Sequence, residues 1–124
     1  MDDMIKAQKF LKKKGHRVLM PVKAKEVDYW SDDNISRVEA KKKYELIDEH
    51  MRNIEKSDAI LAVNITKGDI ENYIGANTSL EMGFAHYRKK KIFAFNPLPN
   101  QKYILDEIMT IDPVILHGDL SKIR

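Results

Sequence analysis

The amino-acid sequence predicts one α/β domain whose parallel sheet is covered by helices on both faces. Segments of helical periodicity alternate along the chain with short apolar runs, which favours parallel strands joined by helical crossovers. The runs Ala59–Val63 (AILAV) and Lys91–Phe95 (KIFAF) are almost wholly apolar, as is typical of strands buried on both faces. No repeat or linker interrupts the 124 residues, so we expect 1–124 to form a single domain.

The other elements follow from periodicity and from residues that stop helices. Met4, Ala7 and Leu11 recur at helical spacing before Gly15, which predicts a helix over residues 2–14. Further along the chain, the sequence predicts a strand Arg17–Met20, a loop over 22–32, helices over 36–56, 78–90 and 101–109, and a strand Val114–Leu116.

Composition narrows the classes of function. Hydrophobic residues make up 43% and charged residues 33% of the chain, as in ordinary globular proteins. No apolar run approaches the length of a membrane span, so no membrane partner is expected. The chain has no cysteine and its four histidines are scattered; we expect no disulfide, no metal site and no cofactor. A cytoplasmic location is the default expectation.

The net charge of +3 has a local explanation. Lys12–Lys14 and Lys89–Lys91 lie where predicted helices end, and cations there complement the helix dipole. The alternative interpretation is a face that attracts phosphate. No basic stripe is interleaved with aromatic residues, so we expect no nucleic-acid partner.

The segment GANTSLEMG, residues 75–83, is the best candidate for a functional site. Ligands of parallel sheets bind beyond the carboxyl ends of strands, and this segment follows strand Ala59–Val63 and a loop that begins at Asn64. Gly75 permits close backbone approach or a positive φ. Asn77 and Thr78 add polar side chains at a helix start, which offers free N–H groups.

Glu81 has two interpretations from spacing alone. Thr78-Ser79-Leu80-Glu81 fits a capping box, in which the carboxylate caps the N–H of Thr78. In the other interpretation Glu81, in the first helical turn, faces a bound ligand. Gly83 favours the second, since a helical glycine that costs about 1 kcal/mol relative to alanine suggests close packing or a required gap.

The pattern G-x-N-T-x-x-E-x-G-x-A at residues 75–85 carries a resemblance to a known family. Over residues 2–118, and most sharply over 57–96, the chain resembles the nucleoside 2-deoxyribosyltransferase-like superfamily, which includes deoxyribosyltransferases and nucleoside 5′-monophosphate N-glycosidases. The resemblance implies that Glu81 is a nucleophile attacking the anomeric carbon of a nucleoside or nucleotide. It also implies a homodimer or higher homo-oligomer, with Asn96 well placed for contact with a second subunit.

Two features depart from the family pattern. A family aspartate is expected eight positions before Asp58, where this chain has His50; that histidine is either a core residue or a group that binds base or sugar. The fold implied is a flavodoxin-like or Rossmann-like three-layer sandwich, which begins on a central strand. This chain begins with a helix, so the first strand is apparently missing: we expect either an N-terminally shortened chain or a rearranged or swapped sheet.

The sequence therefore predicts an enzyme that cleaves or transfers at an N-glycosidic bond, with Glu81 catalytic and His50, Asn64, Gly75, Asn77 and Thr78 in substrate binding. Tyr73 and Trp30 either stack on the base or anchor loops. One alternative is a non-catalytic nucleotide-binding or sensing module on the same scaffold. Another is a phosphoribohydrolase-type nucleotide hydrolase, whose motif also ends in T-x-x-E but includes a P-G-G-x-G that this chain lacks.

Overall fold

A three-stranded parallel sheet organises the part of the chain that the structure describes. The structure is a computed structural model, and it describes residues 2–20 and 47–123. In chain order the elements are α1 (Asp2–Lys13), α2 (described over 47–56), β1 (Ala59–Ala62), α3 (Ala76–Tyr87), β2 (Lys91–Ala94), α4 (Leu105–Ile111), β3 (Val114–Ile115) and a 3-10 helix (Leu120–Lys122). The α/β class with parallel strands is confirmed.

The strand order is β1-β2-β3, and both pairs are parallel. Ala62 of β1 lies opposite Ala94 of β2, and Ala94 lies opposite Ile115 of β3. Each parallel connection is a helical crossover, as the alternating sequence predicts. The carboxyl ends of β1 and β2 therefore lie side by side.

Burial distinguishes the middle strand from its neighbour. Ile92, Phe93 and Ala94 of β2 are all buried, as the apolar run predicts. In β1 only Ala62 is buried, while Ala59, Ile60 and Leu61 are half-buried. β1 is therefore less completely covered than the apolar run predicts. Among the described residues it is also paired with another strand on one side only.

One face of the sheet carries the hydrophobic core. Ile54 of α2, Met82 and Ala85 of α3, and Ile108 of α4 pack with Ile92 of β2 in one cluster. Met82 and Ala85 are fully buried, and Ile108 is 1% exposed. Burying each large side chain contributes about 1.5–3 kcal/mol, so this cluster fixes α2, α3 and α4 on the same face.

The first helix ends as its sequence predicts. Gly15 has φ +91, the left-handed conformation that glycine adopts after a helix, and His16 N–H donates to Leu11 O at 3.0 Å. Lys12 and Lys13 occupy its last turn.

At the other end of the chain, Ser121 donates to Asp119 through its hydroxyl and its N–H, and both bonds lower the pKa of Asp119 below its usual value.

The predicted strand Arg17–Met20 was wrong. Residues 16–20 have no regular secondary structure, although Val18 and Met20 are more buried than Arg17 and Leu19, as an alternating strand would require. A strand exists only where another strand accepts its backbone hydrogen bonds. No other described strand pairs with this segment. The predicted loop over 22–32 and the part of the predicted helix before residue 47 lie outside the described residues.

The boundaries of α3 and α4 also differ from prediction. α3 begins at Ala76 rather than residue 78, because Gly75 is its N-cap residue. α4 begins at Leu105 rather than 101, because residues 101–104 form a turn. In this turn the carbonyl oxygen of Gln101 accepts hydrogen bonds from the N–H groups of Ile104 and Leu105. Asp112, in the left-handed region at φ 55, ends α4, and Pro113 follows it.

Gly83 lies on the exposed side of α3, and the prediction that it marks close packing was wrong. A Cβ placed there meets no neighbouring atom within 4 Å. Alanine at this position would keep the helical backbone and restrict the unfolded chain, so Gly83→Ala is expected to raise the free energy of unfolding by about 0.5–1 kcal/mol.

Gly118 provides the matched control for this substitution. A Cβ there also meets nothing within 4 Å, but φ is +78, which strains any side-chain-bearing residue. Gly118→Ala should therefore lower the unfolding free energy measured by chemical denaturation. A stabilised Gly118→Ala, or a destabilised Gly83→Ala, would contradict this assignment of backbone strain.

Candidate functional site

The candidate site lies where α2 meets α3. Ile54 of α2 and Met82 of α3 share the core cluster. His50 precedes Ile54 by one helical turn, and Glu81 directly precedes Met82. Both side chains therefore lie at the edge of the surface where α2 packs against α3. His50 Nδ1 lies 3.1 Å from Glu81 Oε1, at hydrogen-bond distance. Two residues separated by 31 positions in the sequence therefore form one polar pair.

The His50–Glu81 pair is partly shielded from solvent. The side chain of His50 is 19% exposed and that of Glu81 is 26% exposed. The other ring nitrogen of His50, Nε2, is buried and has no hydrogen-bond partner among the described residues. Buried polar atoms are nearly always paired, so a ring nitrogen without a protein partner is unusual.

A small cleft opens beside the pair. Its lining consists of His50 and Glu81, the polar side chain of Asn77, and three apolar residues, Ile47, Met51 and Leu80. Asn77 lies one helical turn before Glu81 on α3, so the two point to the same side. The cleft thus combines one carboxylate, one imidazole and one amide over an apolar floor.

The capping-box interpretation of Glu81 was wrong. Since α3 begins at Ala76 and its N-cap is Gly75, Thr78 lies inside the helix. In a capping box the carboxylate accepts from the N–H of the N-cap residue, and Thr78 is not that residue. Glu81 lies in the second turn, not the first as predicted, and the first turn of α3 contains no acidic residue. Its carboxylate faces His50 instead of its own helix start.

The start of α3 presents the other predicted binding residues. Gly75 has φ −76 and ψ 168, an extended conformation open to any residue, so the positive-φ explanation for this glycine was wrong. A Cβ there would lie 3.5 Å from the Tyr73 ring. Asn77 is exposed and Thr78 half-buried. The first N–H groups of α3 lack partners within the helix and create positive potential at this end.

Asn64 is part of a structural clamp. It is 2% exposed, and its Nδ2 donates to the carbonyls of Asn96 and Pro97 at 2.9 and 3.1 Å. Its Oδ1 accepts from Asn96 N–H at 2.8 Å, and Asn96 Nδ2 donates to Asn64 O at 2.9 Å. These bonds join the chain just beyond β1 to the chain just beyond β2. The predicted ligand-binding role of Asn64 stays a prediction; in this structure both amide hydrogens serve the clamp.

A second amide clamp was not predicted from the sequence. Gln101 Oε1 accepts from Ile74 N–H at 2.8 Å, and its Nε2 donates to Ile74 O at 3.0 Å. The amide of Gln101 thus satisfies both the N–H and the C=O of Ile74, as a neighbouring strand would. Ile74 is 2% exposed, so the segment leading into α3 is held firmly. No local sequence signal reveals this pairing, because Gln101 lies 27 residues away.

Of the two aromatic residues predicted to stack on a base, Tyr73 lies within the described part of the chain. Tyr73 is half-buried, and Lys67 Nζ lies 5.4 Å from the centre of its ring, a distance that permits a cation–π contact. This favours the loop-anchor interpretation of Tyr73, while stacking on a base stays a prediction. Trp30 lies outside the described residues.

A wider concavity lies at the opposite edge of the sheet, where β2 and β3 begin. Its lining includes Lys90, Lys91, Lys122 and His86 around Phe93. The prediction that Lys89–Lys91 close the helix before them was wrong, because α3 ends at Tyr87 and Lys91 is the first residue of β2. Lys90 Nζ instead donates to Glu55 O at 3.1 Å, near the end of α2. None of the predicted site residues lies there. We therefore place the candidate site at the His50–Glu81 pair.

Comparison with known proteins finds no matching family model, no matching curated protein and no matching solved structure. In the part of the chain that the structure describes, no helix has the length and apolar character needed to cross a membrane. No group of three or more metal-ligating side chains occurs within residues 2–20 and 47–123.

The Asn64 clamp generates a test. Asn64→Asp keeps the size of the side chain but removes both amide donors, and it turns a carboxylate oxygen towards two carbonyls. We expect it to lower the unfolding free energy by at least about 2 kcal/mol.

Asn100→Asp is the control, because Asn100 is exposed on the loop after β2, which also carries Asn96, the partner of Asn64 in the clamp. It should change the unfolding free energy by less than about 0.5 kcal/mol. Both are measured by urea denaturation. Equal effects of the two substitutions would refute the clamp.

Proposed function

We propose that this chain cleaves or transfers at the N-glycosidic bond of a nucleoside or nucleoside 5′-monophosphate, with Glu81 as the nucleophile. One observation carries the proposal: the Glu81 carboxylate faces a cleft and His50 at 3.1 Å, instead of capping its own helix. A part-buried carboxylate beside an apolar cleft that carries a few polar groups is a typical binding-site arrangement.

The resemblance to the nucleoside 2-deoxyribosyltransferase-like superfamily supports the choice of reaction. The pattern at residues 75–85 includes Glu81 at the position of the family's nucleophile, and a parallel α/β architecture is compatible with the fold that the resemblance implies. A carboxylate suits the reaction because it stabilises an oxocarbenium-like transition state and forms an ester that can turn over.

The proposed reaction proceeds in two displacements. First, a Glu81 oxygen bonds to the anomeric carbon as the C–N bond breaks; the base leaves with the bonding electrons and takes a proton from solvent. Second, water or an acceptor base attacks the same carbon, the ester C–O bond breaks, and Glu81 returns as a carboxylate. Water or the acceptor base loses a proton to solvent in this step; water gives hydrolysis and a base gives transfer.

Substrate binding in this proposal uses the start of α3. Asn77 lines the cleft beside Glu81 and offers an amide to a sugar hydroxyl. Gly75 and Thr78 belong to the α3 start, where unpaired N–H groups and the helix dipole favour an anionic group such as a 5′-phosphate. The cleft itself has a volume of only about 10 Å³, room for about one water molecule. Because a nucleoside needs far more space, we propose that a second copy of the chain completes the pocket in a homodimer or larger homo-oligomer.

A nucleotide-binding or sensing module is the second candidate. It is favoured by His50, which stands where the family has an aspartate and therefore does not supply a second carboxylate. Such a module would bind its nucleotide at the same cleft and leave the glycosidic bond intact.

The assay for the proposed function is release of free base from a panel of nucleosides and 5′-monophosphates, followed by chromatography. Glu81→Gln retains the shape of the side chain and an oxygen that can accept from His50, but it lacks the nucleophilic charge. We expect it to reduce base release at least about 1,000-fold.

Glu107→Gln serves as the control, because Glu107 is exposed on α4 and the substitution makes the same change in charge. Its base release should equal that of the parent. Saturable nucleotide binding by the parent without any base release would reject the enzyme and favour the sensing module.

A further inference from the structure

The unpartnered nitrogen of His50 restricts how protons are arranged in the His50–Glu81 pair. An ionised carboxylate can only accept hydrogen bonds, so a bond at 3.1 Å places a hydrogen on Nδ1 of His50. The question is whether the buried Nε2 carries a second hydrogen. Both a charged imidazolium and a neutral imidazole are compatible with the Nδ1 contact alone.

Burial of Nε2 distinguishes these forms. In the imidazolium, Nε2 would be an N–H group with no acceptor among the described residues, and a buried unpaired donor is costly. The same cost applies if Glu81 were protonated and donated to Nδ1, since the ring hydrogen would then lie on Nε2. The neutral ring with its hydrogen on Nδ1 leaves an unpaired acceptor at Nε2, which costs less than an unpaired donor on a charged ring.

We infer that His50 is a positioning residue: a neutral imidazole whose single N–H, on Nδ1, holds Oε1 of Glu81 and leaves Oε2 to attack the substrate. This inference rests on the proposed function for its catalytic consequence, though not for the tautomer itself. Among the residues lining the cleft, Glu81 is the charged one, and within the described residues its carboxylate is bonded through Oε1 to His50.

The assignment explains how His50 can replace a family aspartate without copying its chemistry. With Nδ1 used by Glu81 and Nε2 buried, His50 does not contact the substrate in this arrangement; it acts through Glu81. A neutral donor also leaves the carboxylate its negative charge, whereas an imidazolium would offset that charge and weaken the nucleophile. Orientation of a reacting group is a large part of catalysis.

The tautomer is tested by NMR of the full chain labelled with ¹⁵N, using long-range ¹H–¹⁵N correlations in the imidazole rings. In the parent protein the His50 spectrum should show the pattern of the Nδ1–H tautomer. In Glu81→Ala, which removes the acceptor, that pattern should be lost. An Nε2–H or imidazolium pattern for His50 in the parent protein would overturn the inference, whatever the activity.

The positioning role is tested by two substitutions of His50. The amide nitrogen of Asn can occupy the place of Nδ1, whereas that of Gln mimics Nε2. His50→Asn should therefore retain base release to within about tenfold, and His50→Gln should lose about 100-fold in kcat, with circular dichroism confirming that both fold. Equal losses in both variants would contradict the positioning role. If the parent releases no base, the proposed function fails, and the NMR result still decides the tautomer.

Discussion

The packing of α2 and α3 on one face of the parallel sheet is the constraint on which the candidate site depends. Ile54 and Met82 meet in the core with Ile92 of the middle strand, which brings together helices that are distant in sequence. His50 lies one helical turn before Ile54, and Glu81 lies one residue before Met82. Their 3.1 Å contact is thus a consequence of core packing, and any change that separates the helices would separate the pair.

Two side-chain amides stabilise the loops that lead to the site. Asn64 and Asn96 join the chain beyond β1 and β2 through four hydrogen bonds, and Gln101 pairs with the backbone of Ile74 just before α3. Loops usually lack such firm backbone partners. Here they orient the start of α3, so Asn77 and Glu81 are presented by a rigid element, as a preformed site requires.

Much of the fold was predictable because β2, α3, α4 and β3 are local patterns of periodicity ended by glycine, proline or polar residues. The prediction of a strand at Arg17–Met20 was wrong because the alternation of apolar and polar residues describes a single segment. It does not show whether a neighbouring strand is available to pair with that segment. The start of α3 was misplaced because both Gly75 and Thr78 are acceptable N-cap residues, and the choice between them decided whether Glu81 caps its helix or faces a cleft.

The candidate site could be predicted only in part. The sequence motif drew attention to Glu81, and the apolar spacing on α2 placed His50 near the core. Their direct contact is a tertiary event that no spacing reveals. The Asn64–Asn96 clamp had a weak signal, since an asparagine follows each apolar run of two adjacent strands. Nothing local indicated Gln101.

The proposed reaction requires that Glu81 form a covalent bond with the sugar. In a 2-deoxy-2-fluoro-arabinosyl nucleoside, the electron-withdrawing fluorine destabilises the oxocarbenium-like transition state. We therefore expect the glycosyl ester formed from this analogue to break down slowly. After incubation of the full chain with this analogue, peptide mass spectrometry should find the fluorinated sugar attached to Glu81, and Glu81→Gln should remain unmodified. If the parent protein releases base from natural nucleosides but carries no adduct, or carries it on another residue, the proposed nucleophile is wrong.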